Sequence, residues 1–369
     1  MAFEKLHDYL ATFVPEKIPG CDILIYHHGK LIHREQQGYQ DYLLQEPMGT
    51  EVYYPIYSCS KVVTCAAVMH LIEEGKVSPD DLLSQYIPAF GEVRLADGSA
   101  PKTPITLRHC FTMTTGLDYN LVEPHLMEAI RKNPHAGTVE LVEAIAKRPL
   151  LFEPGTHYQY SLAHDVLAAV VEVVSGKTFE EYLRDWCFKP LGLTHISCSF
   201  SEENRKKAVA QFIMNGEKRN PAGFRCGYIL TDRYHSGGAG LITTAEDYSK
   251  ILAALSLGTA GGLLKNETLA LMQQNLLKGT PLEEYRDNSN YTSAYGYGFG
   301  VRTMMEAEKY GIDTRIHEFG WSGAAGCHAM IDTENELAVF YAQCVLGVPT
   351  EFSRPMRGTL RDLIYEEIL

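Results

Sequence analysis

The chain has 369 residues, of which 45% are hydrophobic, and it carries a formal charge of −13. This length is enough for one large domain or two smaller ones, and the hydrophobic fraction is ordinary for a globular protein with a substantial core. The acidic balance excludes nucleic acid as an expected partner, because the chain has no basic surplus to neutralise phosphates.

The nine cysteines are scattered along the chain and include no Cys-x-x-Cys pair. This pattern indicates free thiols in a reducing compartment rather than a disulfide framework. Charges interrupt the N-terminal segment, which lacks the apolar core of a signal peptide, and no run of about 18 apolar residues predicts a membrane span. We therefore expect a cytoplasmic protein that has no membrane partner.

The first predicted elements are a short helix and a β-hairpin. Residues 22–28 and 31–34 have the composition of strands. Gly29 and Lys30 between them indicate the turn.

A serine and a lysine lie three residues apart where the next helix begins. Apolar spacing predicts this helix over 62–74, with Gly75 as its C-terminal stop. Because positions i and i+3 share one helix face, we expect Ser58 Oγ and Lys61 Nζ to approach each other. A partly desolvated lysine can be neutral and remove the proton of the serine. Ser58 is therefore a candidate nucleophile, and the competing interpretation is an N-capping serine followed by an exposed lysine.

The middle of the chain is predicted to be mostly helical, with apolar residues at helical spacing in 138–147, 163–174 and 178–187. Before the second of these helices, a Pro-Gly turn leads to Tyr160. If a cation such as Lys61 lowers the pKa of this tyrosine, its phenol could act as a general base. The competing interpretation is a packing tyrosine.

A second strand-rich region and a closing helix are predicted near the C-terminus, with strands at 297–302, 327–332 and 337–344 and the helix at 354–368. Small residues crowd the segment 319–326, which would let a ligand approach the backbone closely. A backbone N–H there, paired with that of Ser58, could form an oxyanion hole. A glycine-rich entry into a strand is the simpler alternative.

Strands at both ends and helices between them predict an α/β (α+β) fold in which both termini build one sheet. Residues 1–75 and 290–369 are expected to form the sheet subdomain, and residues 76–289 a mostly helical one, within a single unit. The junction would leave a cleft, which is a common place for an active site.

Three motifs follow one another in the order found in serine β-lactamase-like enzymes: Ser58-x-x-Lys61, Tyr160-Ser161 and Trp321-Ser322-Gly323. Residues 105–117 and 237–247 are also similar to segments of that family. Over roughly residues 15–365, the chain resembles the branch that contains class C β-lactamases, penicillin-binding-protein-like DD-peptidases and family VIII carboxylesterases.

The resemblance implies a β-lactamase/transpeptidase-like fold with an antiparallel sheet, and catalysis through an acyl-enzyme. Ser58 would be the acylated nucleophile, and Lys61 would be the first proton acceptor or the electrostatic tuner of its neighbours. Tyr160 would complete the base and later help to protonate the leaving group. The backbone N–H groups of Ser58 and Ala324 would form the oxyanion hole.

Two positions depart from the β-lactamase pattern. Leu162 stands where the family has an asparagine that contacts the lysine and the acylamide chain of a β-lactam, and leucine cannot hydrogen-bond. Trp321 stands where a basic residue usually attracts the carboxylate of the drug, and indole carries no charge. Together with Ser322 and Gly323, both residues are expected to contact the substrate.

Trp-x-Gly is what many esterase-like members of the family carry, so we predict a carboxylesterase that acts on small or medium acyl esters. A β-lactamase, a D-amino acid amidase or DD-peptidase, and an acyltransferase on the same scaffold stay open as alternatives. The oligomeric state is open too. The histidines form no His-x-x-x-His pair, and we expect neither a metal nor a cofactor.

The orientation of Lys61 is a further open point. Leu162 removes a possible partner of this lysine, and no replacement can be identified from the sequence. Ser161 is a candidate only because it is adjacent.

Overall fold

The computed structural model describes residues 3–216, 218–223, 228–288 and 294–369. Within these ranges, no helix is both long enough and apolar enough to cross a membrane. The strands are, in chain order, β1 (Gly20–His27), β2 (Lys30–Asp41), β3 (Glu46–Pro47), β4 (Tyr53–Pro55), β5 (Ile196–Ser197), β6 (Phe212–Asn215), β7 (Lys218–Pro221), β8 (Ile242–Thr244), β9 (Tyr295–Tyr297), β10 (Arg302–Met304), β11 (Phe319–Ser322), β12 (His328–Asp332), β13 (Leu337–Ala342) and β14 (Val345–Leu346).

The α-helices follow the same numbering. They are α1 (Glu4–Ala11), α2 (Ser60–Glu73), α3 (Leu107–Phe111), α4 (Pro124–Lys132), α5 (Thr138–Ile145), α6 (Ala163–Ser175), α7 (Phe179–Leu183), α8 (Glu202–Lys206), α9 (Ala245–Ser256), α10 (Asn266–Met272), α11 (Thr280–Asn288) and α12 (Thr350–Ile368). Most of them lie between the two strand-rich ends of the chain.

The centre of the fold is an eight-stranded sheet in the order β3-β2-β1-β13-β12-β11-β10-β9. Every neighbouring pair in it is antiparallel. The N-terminal and C-terminal regions meet where β1 pairs with β13, with Asp22 opposite Ala342. The predicted sheet built from both termini is therefore confirmed.

The two central strands are covered on both faces. Every residue of β1 and β13 is buried except His27, which is typical of a sheet packed on both sides rather than half-exposed. One face packs against α1 and α12 through a cluster that includes Leu10, Ile23 and Ile364. On the other face, α9 packs against β1, β12 and β13.

One predicted strand is wrong. Residues 297–302 form the end of β9, a turn and the start of β10, so that the chain reverses where a continuous strand was expected. Gly300 has a φ of 77°, and the N–H of Gly298 donates to the carbonyl of Val301 at 2.8 Å. The apolar and aromatic composition that suggested a strand belongs to buried turn residues such as Phe299.

The subdomain boundaries stay a prediction, and α9 bears on them. This helix falls inside the segment 76–289, yet it packs on the central sheet. Its start follows the N-capping pattern, because the Thr244 side chain accepts a hydrogen bond from the N–H of Asp247 at 3.2 Å. The middle segment thus returns to the sheet at 245–256 before the chain re-enters it at β9.

Candidate active site

Ser58 lies in a tight turn between a strand and a buried helix. The 3-10 turn Tyr57–Cys59 follows β4, and α2 begins at the next residue. Tyr57 has a left-handed φ of 47°, a conformation that costs a non-glycine residue about 1–2 kcal/mol. This conformation changes the direction of the chain just before the serine. The turn presents Ser58 on the wall of a cavity of about 590 Å³.

Three of the predicted residues converge on one oxygen atom. Tyr160 OH donates a hydrogen bond to Ser58 Oγ at 2.7 Å, and Lys61 Nζ donates to the same atom at 3.3 Å. Lys61 is 0% exposed, which contradicts the alternative of a capping serine beside an exposed lysine. The tyrosine comes from the segment before α6, so two separate parts of the fold build this cluster.

Burial changes the acidity of Lys61. Desolvation lowers its pKa to about 8, while the negative charge of Asp165 acts in the opposite direction. Lys61 Nζ donates a hydrogen bond to the carbonyl of Gly238 at 2.7 Å, and this contact holds the amine beside Ser58. A proton acceptor is therefore available at mildly alkaline pH.

The tyrosine behaves differently from the sequence-based expectation. Burial raises the pKa of Tyr160, although hydrogen bonds with Ser58 and Trp321 oppose the shift. The shift therefore has the opposite direction to the expected lowering, because loss of solvent outweighs the hydrogen bonds that favour the ionised phenol. The phenol is therefore a proton donor at neutral pH, which matches its hydrogen bond to the serine oxygen.

Aromatic rings on both sides hold this phenol in place. The Tyr160 ring stacks on Tyr119 at 5.4 Å and lies parallel to Trp321 at 6.0 Å between centroids. Trp321 Nε1 also donates to Tyr160 OH at 3.4 Å. The tryptophan thus contacts the tyrosine of the second motif directly.

The glycine of the third motif brings its backbone against the turn that carries Ser58. A Cβ on Gly323 would lie 2.3 Å from the carbonyl oxygen of Ile56, so only glycine allows this approach. Ser58 and Ala324 both line the cavity. Within the described ranges, neither backbone N–H donates a hydrogen bond to another group, which leaves both available to an oxyanion.

One of the predicted substrate contacts lies elsewhere. Leu162 is 2% exposed, packs in the hydrophobic core and is not part of the cavity wall. Ser161 Oγ contacts Met113 Sδ at 3.4 Å and accepts from the N–H of Ala163 at 3.3 Å, so it does not replace the asparagine as a partner of the lysine. Ser322 lines the cavity, and its Oγ lies 2.6 Å from His328 Nδ1.

Sequence reasoning missed several residues of the site. Tyr119, Tyr158 and Tyr228 add aromatic surface to the cavity, and Arg357 of α12 adds a positive charge. Gly238 lies in the predicted glycine-rich segment, but nothing in that pattern indicates that its carbonyl binds the lysine. Across the described ranges, no group of three or more His, Cys, Asp or Glu side chains is arranged to hold a metal ion.

Residues 7–353 match the family described as Beta-lactamase. The chain belongs to the Beta-lactamase family. This membership confirms the predicted fold and the predicted enzyme class, a serine hydrolase. Esterase EstB from Burkholderia gladioli is 28% identical over 95% of this chain and 91% of its own length. Acyltransferase calJ from Penicillium decumbens is 27% identical over 87% of this chain and 83% of its own length.

Solved structures agree with the family assignment. EstCE1, described as a hydrolase with promiscuous acyltransferase activity, superposes with a TM-score of 0.81 at 26% identity, and the match covers 98% of both chains. A D-amino acid amidase from Ochrobactrum anthropi SV3 superposes with a TM-score of 0.70 at 19% identity, over 98% of this chain and 95% of the other. The amidase likeness shows the shared fold alone.

Proposed function

We propose that this Beta-lactamase family member hydrolyses carboxylic esters of small or medium acyl groups through an acyl-enzyme on Ser58. The observation that carries the proposal is the position of Ser58 Oγ, which contacts both Lys61 and Tyr160 at the wall of an aromatic cavity. An oxygen nucleophile, a proton acceptor and a proton donor are thereby within reach of one bound carbonyl group.

The reaction then follows from the protonation states. Neutral Lys61 takes the proton of Ser58 as the serine oxygen attacks the ester carbonyl carbon. The N–H groups of Ser58 and Ala324 stabilise the negative oxygen of the tetrahedral intermediate. The carbon–oxygen bond to the alcohol breaks, and Tyr160 gives its proton to the departing oxygen while it is reprotonated from Lys61. Water repeats the sequence on the acyl-enzyme and releases the acid.

Esters are favoured over β-lactams because of the groups that the cavity offers. Trp321 presents an indole N–H, which is already directed at Tyr160, in the place of a cation for the carboxylate of the drug. Leu162 supplies no amide for the acylamide chain. A lost charge-assisted hydrogen bond costs about 1.5–3 kcal/mol, or roughly 10- to 100-fold in affinity.

Acyl transfer to an alcohol is the second candidate function. It is favoured by the similarity to an acyltransferase and to a hydrolase described as having promiscuous acyltransferase activity. The same acyl-enzyme serves both outcomes, and the acceptor that reaches it first decides between them. Faster loss of the acyl-enzyme when an alcohol is added would identify this activity.

We expect a small-molecule ester or amide as the substrate, and a reducing compartment such as the cytoplasm as the place of action. The eight cysteines within the described ranges are all free thiols and all buried. The acidic charge of the chain disfavours a nucleic-acid partner.

Hydrolysis of p-nitrophenyl butyrate and of nitrocefin, measured side by side, tests the proposal. We expect ester turnover by the wild type that falls at least about 1,000-fold in Ser58→Ala, and little nitrocefin turnover. Ser99→Ala, in an exposed turn, is the matched control and should retain full activity. An active Ser58→Ala protein would contradict the nucleophile, and strong nitrocefin turnover would contradict the preference for esters.

A further inference from the structure

A buried carboxylate, Asp165, lies beside the lysine of the catalytic cluster. We propose that Asp165 is a positioning residue that acts through Lys61, and that the charge of this buried carboxylate sets the pH at which Ser58 can be acylated. The inference rests on the proposed acylation of Ser58.

Burial raises the pKa of Asp165, and hydrogen bonds and the charge of Lys61 oppose that rise. The side chain is 0% exposed, and its Oδ1 accepts hydrogen bonds from Tyr234 OH at 2.7 Å and Ser236 Oγ at 2.5 Å. Two hydroxyl donors on one oxygen stabilise the negative form, which opposes the rise in pKa that burial causes. Within the described ranges, no side chain donates to Oδ2.

The second oxygen faces a narrow space at Gly238. A Cβ at that position would lie 2.6 Å from Asp165 Oδ2 and 3.2 Å from Lys61 Nζ. Tyr119 OH lies 3.0 Å from the same point, and within the described ranges it has no hydrogen-bond partner. Because Gly238 has no side chain, the carboxylate of Asp165 and the amine of Lys61 can lie on either side of it. They form no ion-pair contact, because the amine donates to the Gly238 carbonyl instead.

The charge of Asp165 and the burial of Lys61 act against each other. Desolvation lowers the pKa of the lysine, and the carboxylate raises it, so that the amine still titrates near pH 8. Within the described ranges, other titratable or polar groups also face this amine. Those close to it in the chain are Ser58, Cys59 and Cys65. The others are the rings of Tyr119 and Tyr160, and His164 of α6. Burial keeps His164 neutral, with its pKa lowered to about 3. Among the residues that the structure describes, Asp165 is therefore the one carboxylate that acts on Lys61.

Labelling of Ser58 by a fluorophosphonate, followed as a second-order rate constant against pH, tests the inference without any assumption about the substrate. In Asp165→Asn, the acid limb of the rate should move to lower pH by about one unit, because the lysine loses its proton more easily. At pH 6, the labelling rate relative to its own alkaline plateau should rise about tenfold. Ser256→Ala is the matched control, since it removes a buried hydroxyl that donates to the carbonyl of Ala253 and leaves Asp165 and its donors intact, and its limb should stay in place.

Two further variants separate charge from packing. Asp165→Glu restores the charge and should return the limb toward the wild-type position, even if its plateau is lower. Asp165→Ser is a smaller neutral variant for use if the asparagine protein does not fold, and its limb should also move to lower pH. A limb that stays at the wild-type pH in both neutral variants would overturn the inference. A wild-type protein that is not labelled at all would instead overturn the proposed function.

Discussion

At the scale of single residues, the site depends on two opposite effects of burial. Loss of solvent lowers the pKa of Lys61 to about 8, so that more of the amine is neutral, and it makes Tyr160 a weaker acid. The result is a neutral amine and a protonated phenol around one serine oxygen in mildly alkaline solution. Lys61 therefore accepts the proton of Ser58, and Tyr160 donates the proton that the departing alcohol needs.

The pH profile of the wild type follows from that assignment. We expect kcat/KM for p-nitrophenyl butyrate to rise with pH and to reach half of its maximum near pH 8, because only neutral Lys61 can accept the proton of Ser58. The pKa of Tyr160 is raised, so the phenol should add no second limb below about pH 9. Initial rates in buffers of constant ionic strength are the measurement. A limb centred below pH 7 would contradict the role of the lysine.

The residues of this site differ in how far the sequence specifies them. The i, i+3 spacing and the order of motifs predicted that Ser58 and Lys61 would meet and that Tyr160 would join them, because short-range geometry and family resemblance both point there. The direction of the pKa shift of Tyr160 could not be predicted, since it depends on how much solvent the folded protein excludes. Asp165 looks like an ordinary acidic residue in the first turn of α6, and only the fold brings it to the lysine.

At the scale of elements, close approach of backbones positions the oxyanion donors. The segment after β11 packs against the turn before α2, where Gly323 has no room for a side chain next to Ile56. Backbone carbonyls cannot move aside as a flexible side chain can. The geometry of the N–H groups of Ser58 and Ala324 therefore depends on one glycine.

Gly323→Ala tests this dependence. The added Cβ would lie 2.3 Å from the Ile56 carbonyl oxygen, so the two segments must separate, and we expect kcat/KM to fall by about 100-fold. The matched control is Gly358→Ala in the interior of α12, where a Cβ meets nothing within 4 Å. That change should raise the free energy of unfolding by about 0.5–1 kcal/mol, and denaturant titration should detect it. Equal activity in Gly323→Ala and wild type would show that this contact does not position the donors.

The elements themselves were predictable where the apolar pattern was long. The helices α2 and α6 lie where apolar spacing predicted them, and β1, β12 and β13 lie where strand composition did. The hairpin is also present, but β2 extends to Asp41, beyond the predicted end at residue 34. The prediction of a strand at 297–302 was wrong because a buried turn of glycine and aromatic residues has the composition of a strand. Its conformation is fixed by the pairing of β9 with β10, which is information outside the segment.

At the scale of the whole molecule, a buried polar network around one ion pair joins the sheet to the C-terminal helix. Arg302 of β10 and Glu318, directly before β11, are 1% and 2% exposed, and Arg302 Nη2 donates to Glu318 Oε2 at 2.9 Å. Tyr295 OH also donates to Glu318, and Arg361 of α12 donates to that same tyrosine oxygen at 2.9 Å. The network connects β9, β10, β11 and α12 on one side of the fold.

Removing one charge of this network should be costly. In Glu318→Gln, the guanidinium of Arg302 would stay buried without its partner, and we expect the free energy of unfolding to fall by about 3–5 kcal/mol. Thermal and denaturant unfolding measure this loss. As a control, Lys132→Ala removes an ion pair with Glu128 at the surface and should leave the unfolding midpoint unchanged. A Glu318→Gln protein as stable as the wild type would contradict a structural role for the pair.

The proposed function depends first on acylation of Ser58. The most direct measurement is mass spectrometry of the protein after reaction with a fluorophosphonate, followed by peptide mapping of the adduct. We expect one adduct per chain, located on Ser58 and absent from Ser58→Ala. An adduct on another residue, or labelling that persists in Ser58→Ala, would contradict it.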